Sequence, residues 1–398
     1  MRRILPILII CLLSFQLKAQ TNDNLIKGYV QLEEKNYQLA IDFFTTQLEN
    51  NQAPKAYLYR GICHYYLNHS DQAMSDFLKA FNVGGIEEAQ LWLAKTYAKN
   101  GEAQQAVKNL DEYIAGQGYI NTKDILKDSV FRTIQSTNSW QGFTLNRIVS
   151  NEENIAGEVI YLLNSSKNNE GVDYISDLLV DNTDSYLYYY RALFYKKSGN
   201  LALAYADIKL ANNVEPGNLK FLKEFLQIAS AYNKHEQALN IAEELIDSEE
   251  ENPVWMKEKA KSELELAKTS EALHSISTYL QYYPYDKNGL YLKANIHIAR
   301  EEFNDAIRTL NVIEEKFMTS TTLFLLRGNC YLKTGTFKSA AYDFAMCLDL
   351  DPANEEANLN LGIAQYKLGN TSSACFYWER ALQYGSLNAT EYIYKYCE

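Results

Sequence analysis

The sequence predicts an all-α chain, a solenoid of antiparallel helix pairs with about 11 units, some of them degenerate. Three observations carry that expectation. The 398 residues include only 18 Gly and 6 Pro, too little turn material for a sandwich or barrel. Alanines recur at fixed intervals: Ala40, Ala73 and Ala106 are 33 apart, and Ala204, Ala238, Ala272, Ala306, Ala340 and Ala374 are 34 apart. Each has a small residue twelve positions earlier (Gly28, Gly61, Ala94, Ala192, Ala260, Ala294, Gly328, Gly362) and a large apolar one four positions later (Phe44, Phe77, Leu110, Ile208, Ile276, Leu310, Phe344, Trp378). Only the repeat of Ala238, with Leu226 before it and Ala242 after it, breaks the pattern.

The physical reading is two helices per repeat. The early small residue and the alanine face each other where the backbones approach, and the large residue, one turn on, fills the space beyond them. Turn-forming segments separate the two, as in Asn68-His69-Ser70-Asp71, Lys99-Asn100-Gly101, Lys197-Ser198-Gly199-Asn200, Lys333-Thr334-Gly335 and Leu368-Gly369-Asn370. Pro216, Pro284 and Pro352 are 68 apart and end their repeats.

Taken in order, residues 1–19 read as a secretory leader. Arg2 and Arg3 precede an apolar run over Leu5–Phe15, and Ala19 suits cleavage. An uncleaved anchor is the alternative; Ile9 and Ile10 before Cys11 do not fit a lipoprotein signal. Residues 20–118 hold three repeats. Residues 119–184 form a degenerate helical connector of two divergent repeats, about 121–150 and 151–184. In the first of these, short irregular helices around Phe131, Ile134 and Trp140 cover an apolar seam. Residues 185–385 hold six repeats, and 386–398 a capping helix, since a repeat array must hide its last face.

The pattern resembles the tetratricopeptide-repeat (TPR) family, whose signature is a small residue, an alanine, an aromatic and a proline over 34 residues. The clearest copy is Arg327-Gly328-Asn329-Cys330-Tyr331 with Ala340, Phe344 and Pro352. It departs from the family at Arg327, where leucine is usual. The resemblance implies a TPR superhelix whose first helices line a concave groove for a protein or peptide. Carried onto this chain, the groove positions are Lys257, Lys261, Tyr291, Asn295, Leu325, Asn329, Leu359 and Ile363, with Tyr189, and in the first array Tyr29, Leu58, Ile62 and Tyr65. The equivalent Asn295 and Asn329 would hold a peptide backbone through donor and acceptor together.

No catalytic, metal-binding or cofactor spacing occurs: no HExxH, no P-loop, no GxSxG and no dinucleotide fingerprint. With Lys+Arg 38 against Asp+Glu 50 and a net charge of -12, the chain lacks the basic footprint of a nucleic-acid binder. The acidic stretch Ser248-Glu249-Glu250-Glu251 reads as a solvated helix end. Five cysteines remain beyond the leader, without CxxC spacing. They read as small buried hydrophobes, with a Cys330–Cys347 or Cys347–Cys375 disulfide as the alternative. Tyr188-Tyr189-Tyr190, and Tyr282-Tyr283 with Tyr285, cannot all point inward, so some of these rings are expected at the surface.

These readings lead to a non-enzymatic scaffold or adaptor of the cell envelope, periplasmic or otherwise exported, binding a protein or peptide partner and using no cofactor. One alternative is a self-assembling structural protein that stacks through Tyr392, Ile393 and Tyr396. Another is a carbohydrate-binding module.

Overall fold

A computed structural model describes residues 23–116, 122–180 and 182–397. The leader lies outside the described residues. All nine alanines of the column are fully buried, each in the second helix of a hairpin. The first array runs α1 (23–33) with α2 (Tyr37–Asn50), α3 (Pro54–Tyr66) with α4 (Ser70–Gly84), and α5 (Glu88–Lys99) with α6 (Ala103–Gly116). The connector holds α7 (Thr122–Leu126), a 3-10 turn at Ser129–Thr133 and α8 (Asn138–Asn146), then a hairpin of α9 (Asn151–Asn164) and α10 (Asn168–Leu178). Two more hairpins follow, α11 (Ser185–Lys197) with α12 (Leu201–Val214) and α13 (Leu219–Ala231) with α14 (His235–Ser248). The chain divides into two compact units between Pro253 and Val254. The second unit holds α15 (Val254–Glu265), α16 (Thr269–Tyr282), α17 (Lys287–Ala299), α18 (Phe303–Lys316), α19 (Thr321–Lys333), α20 (Phe337–Leu350), α21 (Glu355–Lys367), α22 (Thr371–Gln383) and α23 (Ala389–Tyr396). No strand occurs among the described residues.

Where the small residue of a first helix is glycine, it accommodates an aromatic ring. A Cβ added at Gly28 would stand 2.5 Å from the Phe44 ring, one at Gly328 2.7 Å from Phe344, and one at Gly362 2.4 Å from Trp378. The glycine therefore makes room for the large residue of its own hairpin. Glycine here allows an aromatic ring to lie directly on backbone, which is how a thin two-helix unit obtains a dense core.

Every hairpin turns through a single residue in the left-handed region. Gly101, Gly199, Gly335 and Gly369 fill this place at φ 74 to 85°, and Lys35, Asn68, Ser166, Asn233, Ala267 and Glu301 fill it at φ 56 to 63°. The first helices α11, α13, α17, α19 and α21 start at Asp184, Asn218, Asp286, Ser320 and Asn354, each of which accepts a backbone N–H with its side chain. Pro216, Pro284 and Pro352 each stand two residues beyond a second helix.

The core is serial. Ala73, Phe77 and Ala80 of one hairpin pack with Ala89 and Leu93 of the next, and Ala340, Phe344 and Cys347 pack with Ala357 and Leu361. Each layer is thus shared by neighbours, and no hairpin completes its core alone. Phe131, Ile134 and Trp140 of the connector join Ala94, Leu110 and Ile114, so the irregular turns cover the last hairpin of the first array. In the α9–α10 hairpin the alanine's place is taken by Gly171, 33 residues before Ala204. A Cβ there would stand 2.2 Å from Phe194 of the following repeat.

A second periodic feature went unread in the sequence. Arg60, Arg191 and Arg327, immediately before the small residue, each grip an aspartate sixteen residues on. The Nε and Nη2 groups donate to Asp76 at 2.8 and 2.8 Å, to Asp207 at 2.7 and 2.9 Å, and to Asp343 at 2.8 and 2.9 Å. The third nitrogen reaches back to the preceding hairpin, to Thr45 (3.1 Å), Ser176 (3.2 Å) or Asn311 (2.8 Å). An aromatic ring three residues earlier, Tyr57, Tyr188 or Phe324, lies beside each guanidinium. Arginine where the family has leucine is therefore a brace across three helices, a geometry that its planar fork allows and lysine's point charge does not.

The cysteine reading needs correction. Cys63, Cys330 and Cys347 are buried free thiols, but Cys375 and Cys397 form a disulfide, a pairing not among the alternatives considered. The bond ties α23 to α22. Tyr392 and Tyr396 of α23 pack on Trp378, with ring centroids 5.0 and 5.9 Å away, and Ile393 belongs to the same cluster. These three residues are half-buried on the inner side of the capping helix, while Tyr394 is 92% exposed.

Candidate partner-binding groove

In the second unit α19 and α21 stand side by side, with the end of α17 and the starts of α18 and α20 next to them. Between them lies an open cleft of about 600 Å³. Ile298, Phe303, Leu332, Phe337 and Ile363 give it apolar surface, and Asn329, Glu356, Asn360, Lys333 and Lys367 give it polar groups. The amide of Asn360 donates to Asn329 Oδ1 (2.8 Å), and Asn329 Nδ2 donates to Glu356 Oε1 (2.9 Å). These bonds fix the orientation of Asn329 while leaving one N–H and one lone pair for a ligand. Cys330 also lines the cleft, and burial pushes its thiol up to about 11. It is a protonated wall residue at neutral pH, not a thiolate nucleophile.

Of the residues expected at the groove, Asn329 and Ile363 line this cleft together. The others stand elsewhere. Asn295 is exposed on α17 but outside the lining, and Leu325 packs into the core shared by α19, α20 and α21. The Tyr291 hydroxyl bonds Ser320 at 3.1 Å. Lys257 is held by Asp286 (3.0 Å) and lies over the Tyr279 ring, while Lys261 is exposed on α15.

In the first unit Tyr189 is 7% exposed, packed on Phe221 and Tyr190, so it is a core residue. Leu58 and Ile62 are buried as well. Of the tyrosine run, Tyr189 and Tyr190 are inside and Tyr188 is half-buried; Lys220 covers the cluster, its ammonium 5.1 Å from the rings of Tyr186 and Tyr189. Tyr285, by contrast, is 56% exposed.

The acidic stretch also behaves differently from expectation. Glu251 is not solvated but 2% exposed, held by Lys55 and Tyr59 of α3. His297, Glu302 and Asp305 could bring three ligand atoms together. However, Arg300 donates to Glu302 at 2.9 Å and Arg308 pairs with Asp305. The cationic charge that a metal would bring is already supplied there.

The spacing of sixteen from arginine to aspartate was available in the sequence and would have found the braces. Nothing local marks Glu251, whose partners lie more than 190 residues away.

Among the described residues no helix is long and apolar enough to cross a membrane. No curated protein matches the chain. Solved structures overlap it loosely. A tetratricopeptide repeat protein from Parabacteroides merdae is 14% identical over 60% of this chain and 96% of that one, with a TM-score of 0.47. Yeast Tom70 is 13% identical over 94% of each chain, with a TM-score of 0.38. YrrB, described as a TPR protein with an unusual peptide-binding site, is 16% identical over 47% of this chain and 97% of that one, with a TM-score of 0.41. The tetratricopeptide-repeat family model matches residues 88–115 and 356–384, which are the hairpins α5–α6 and α21–α22. Matched there by the family's own model, these two hairpins are tetratricopeptide repeats, and the same turn geometry and column of buried small residues recur in hairpin after hairpin of the chain.

Proposed function

We propose that the protein is a non-enzymatic scaffold or adaptor of the cell envelope that holds a segment of a protein partner along the cleft of α17, α19 and α21. The observation that carries this reading is the cleft's two-sided chemistry. An apolar floor from Phe303, Phe337 and Ile363 lies beside a fixed row of Asn329, Asn360 and Glu356. Such a strip suits an extended segment that buries one side chain and satisfies its own backbone along the row. A disulfide in the second unit supports export, since disulfides persist in oxidising compartments, and the leader read in residues 1–19 supports the same route.

The test is site-specific cross-linking. A photo-reactive side chain at exposed Lys333 should trap a discrete partner in the native envelope fraction, and Ile363→Asp should abolish the product. A product that survives Ile363→Asp, or one that contains only this chain, would refute the reading.

A further inference from the structure

From Ser248, the last residue of α14, the chain runs through Glu249-Glu250-Glu251-Asn252-Pro253 before the second unit begins. A string of carboxylates in a connecting segment belongs in water, because burying an ionised carboxylate is costly unless it is paired and hydrogen-bonded. Glu251 is nevertheless 2% exposed, and both of its oxygens are bound by one helix. Lys55 Nζ reaches Oε2 at 2.9 Å and the Tyr59 hydroxyl donates to Oε1 at 2.8 Å. Lys55 Nζ also donates to the backbone carbonyl of Ser248 at 2.9 Å. Glu249, by contrast, stays with its own hairpin, paired with Lys223 of α13 at 2.7 Å.

The receiving side is prearranged. Lys55 and Tyr59 are four residues apart on α3 and so share a face. The Tyr59 ring is seated by Tyr29 of α1 and Phe44 of α2, with centroids 5.3 and 5.9 Å away. Burial, and then the Glu251 charge, push the Tyr59 hydroxyl upward, so it remains a donor at any ordinary pH. The partners stand 192 to 196 residues apart in sequence. The incoming groups are the Glu251 carboxylate, from the turn beyond α14, and the backbone carbonyl of Ser248, the last residue of α14. That is how a helix array receives a peptide.

We propose that Lys55 and Tyr59 form a carboxylate-binding site that the chain's own Glu251 keeps occupied, and that the ligand this site takes in trans is an acidic extended segment that displaces it. The site belongs to the first unit and shares no residue with the cleft of α17, α19 and α21, so each can fail without the other.

The probe is a fluorescein-labelled peptide copying residues 246–255, titrated into the full chain and read by anisotropy. A site closed most of the time binds with an affinity reduced by its open fraction, so Glu251→Gln should bind the peptide about tenfold or more tighter than wild type. Gln in place of the peptide's own Glu251 should remove binding, as should Lys55→Met/Tyr59→Phe added to the Glu251→Gln protein. Equal binding by wild type and Glu251→Gln at unchanged helicity would overturn the proposal, and so would binding that survives loss of Lys55 and Tyr59. A second measurement needs no Glu251 variant. Glu-specific proteolysis after Glu251 should run about tenfold faster in Lys55→Met/Tyr59→Phe than in wild type, because the held segment is freed to open locally. An unchanged cleavage rate would equally overturn it.

Discussion

Replacing Arg327 with methionine isolates what the interhelical brace contributes. The guanidinium is held by Asp343 at 2.8 and 2.9 Å, by Asn311 at 2.8 Å and by Glu314 at 3.0 Å. The Arg327 side chain is 6% exposed and that of Asp343 1%. Methionine keeps the bulk beside Phe324 but leaves Asp343 buried without its cation. Removing one partner of a buried pair costs about 3–5 kcal/mol. The lower end is expected here, because burial already raises the Asp343 carboxyl and the residue can take up a proton once Arg327 is gone. At roughly 2–4 °C per kcal/mol for a unit of this size, the midpoint of the second unit should fall on the order of 10 °C. In Arg327→Met/Asp343→Leu most of that loss should return, since an apolar pair of similar volume replaces a buried ion pair at little cost. The equivalent Arg60 and Arg191 are more exposed, at 17% and 20%, so Arg60→Met and Arg191→Met should cost less. Differential scanning calorimetry of the four proteins of the Arg327–Asp343 cycle, with those two variants beside them, reads all of this. A loss under about 1 kcal/mol in Arg327→Met, or a double variant no better than the single, would refute the reasoning.

Three further outcomes are expected. Gly335→Ala, at φ +74, should destabilise its hairpin by about 1–2 kcal/mol, and Ala267→Gly, at φ 58, should stabilise its own by a similar or smaller amount; thermal melts of the two variants check the opposite signs. Burial alone would raise the Asp286 carboxyl, but hydrogen bonds from Lys257, Tyr279 and the Gly289 N–H outweigh it and hold the group below its usual range. Its stabilisation is therefore complete above the unfolded value, near about 3.9, and is lost as pH falls through the lower folded value; the melting difference between wild type and Asp286→Asn should shrink between about pH 5 and 3, and a constant gap would exclude this linkage. Cys397→Ser opens a loop whose ends are 22 residues apart and should cost about 3 kcal/mol, measured as a lower urea midpoint that reductant reproduces in wild type and does not lower further in the variant.

The hairpins were legible because their cause is periodic. A ring that needs bare backbone beneath it demands Gly28, Gly61, Gly328 and Gly362 in register, and the alanine column follows from the same close packing. Which group meets the glycine depends on side-chain direction within a helix, which spacing does not encode. The left-handed turn was visible where it is glycine and hidden where Ala267 or Glu301 occupies the same place, because the array imposes the conformation on whatever residue stands there. Asn329 and Ile363 line the cleft, whereas Tyr189 turned inward because Phe221 of the next hairpin packs against it. Glu251 was illegible for a different reason. Its burial arises from the curl of many hairpins, summed over nearly two hundred residues, and no local pattern contains that sum.

The Cys375–Cys397 bond also decides how the second unit answers a mechanical load. Tension applied at Cys397 passes through sulfur to Cys375 in α22, and residues 376–396, α23 among them, are slack within the covalent loop. An unfolding motor pulling from that side cannot peel the capping helix first and then take one hairpin after another. It must act first on α22 at Cys375, three residues before the Trp378 that is seated on Gly362. The same pull after reduction would begin at the eight-residue helix α23.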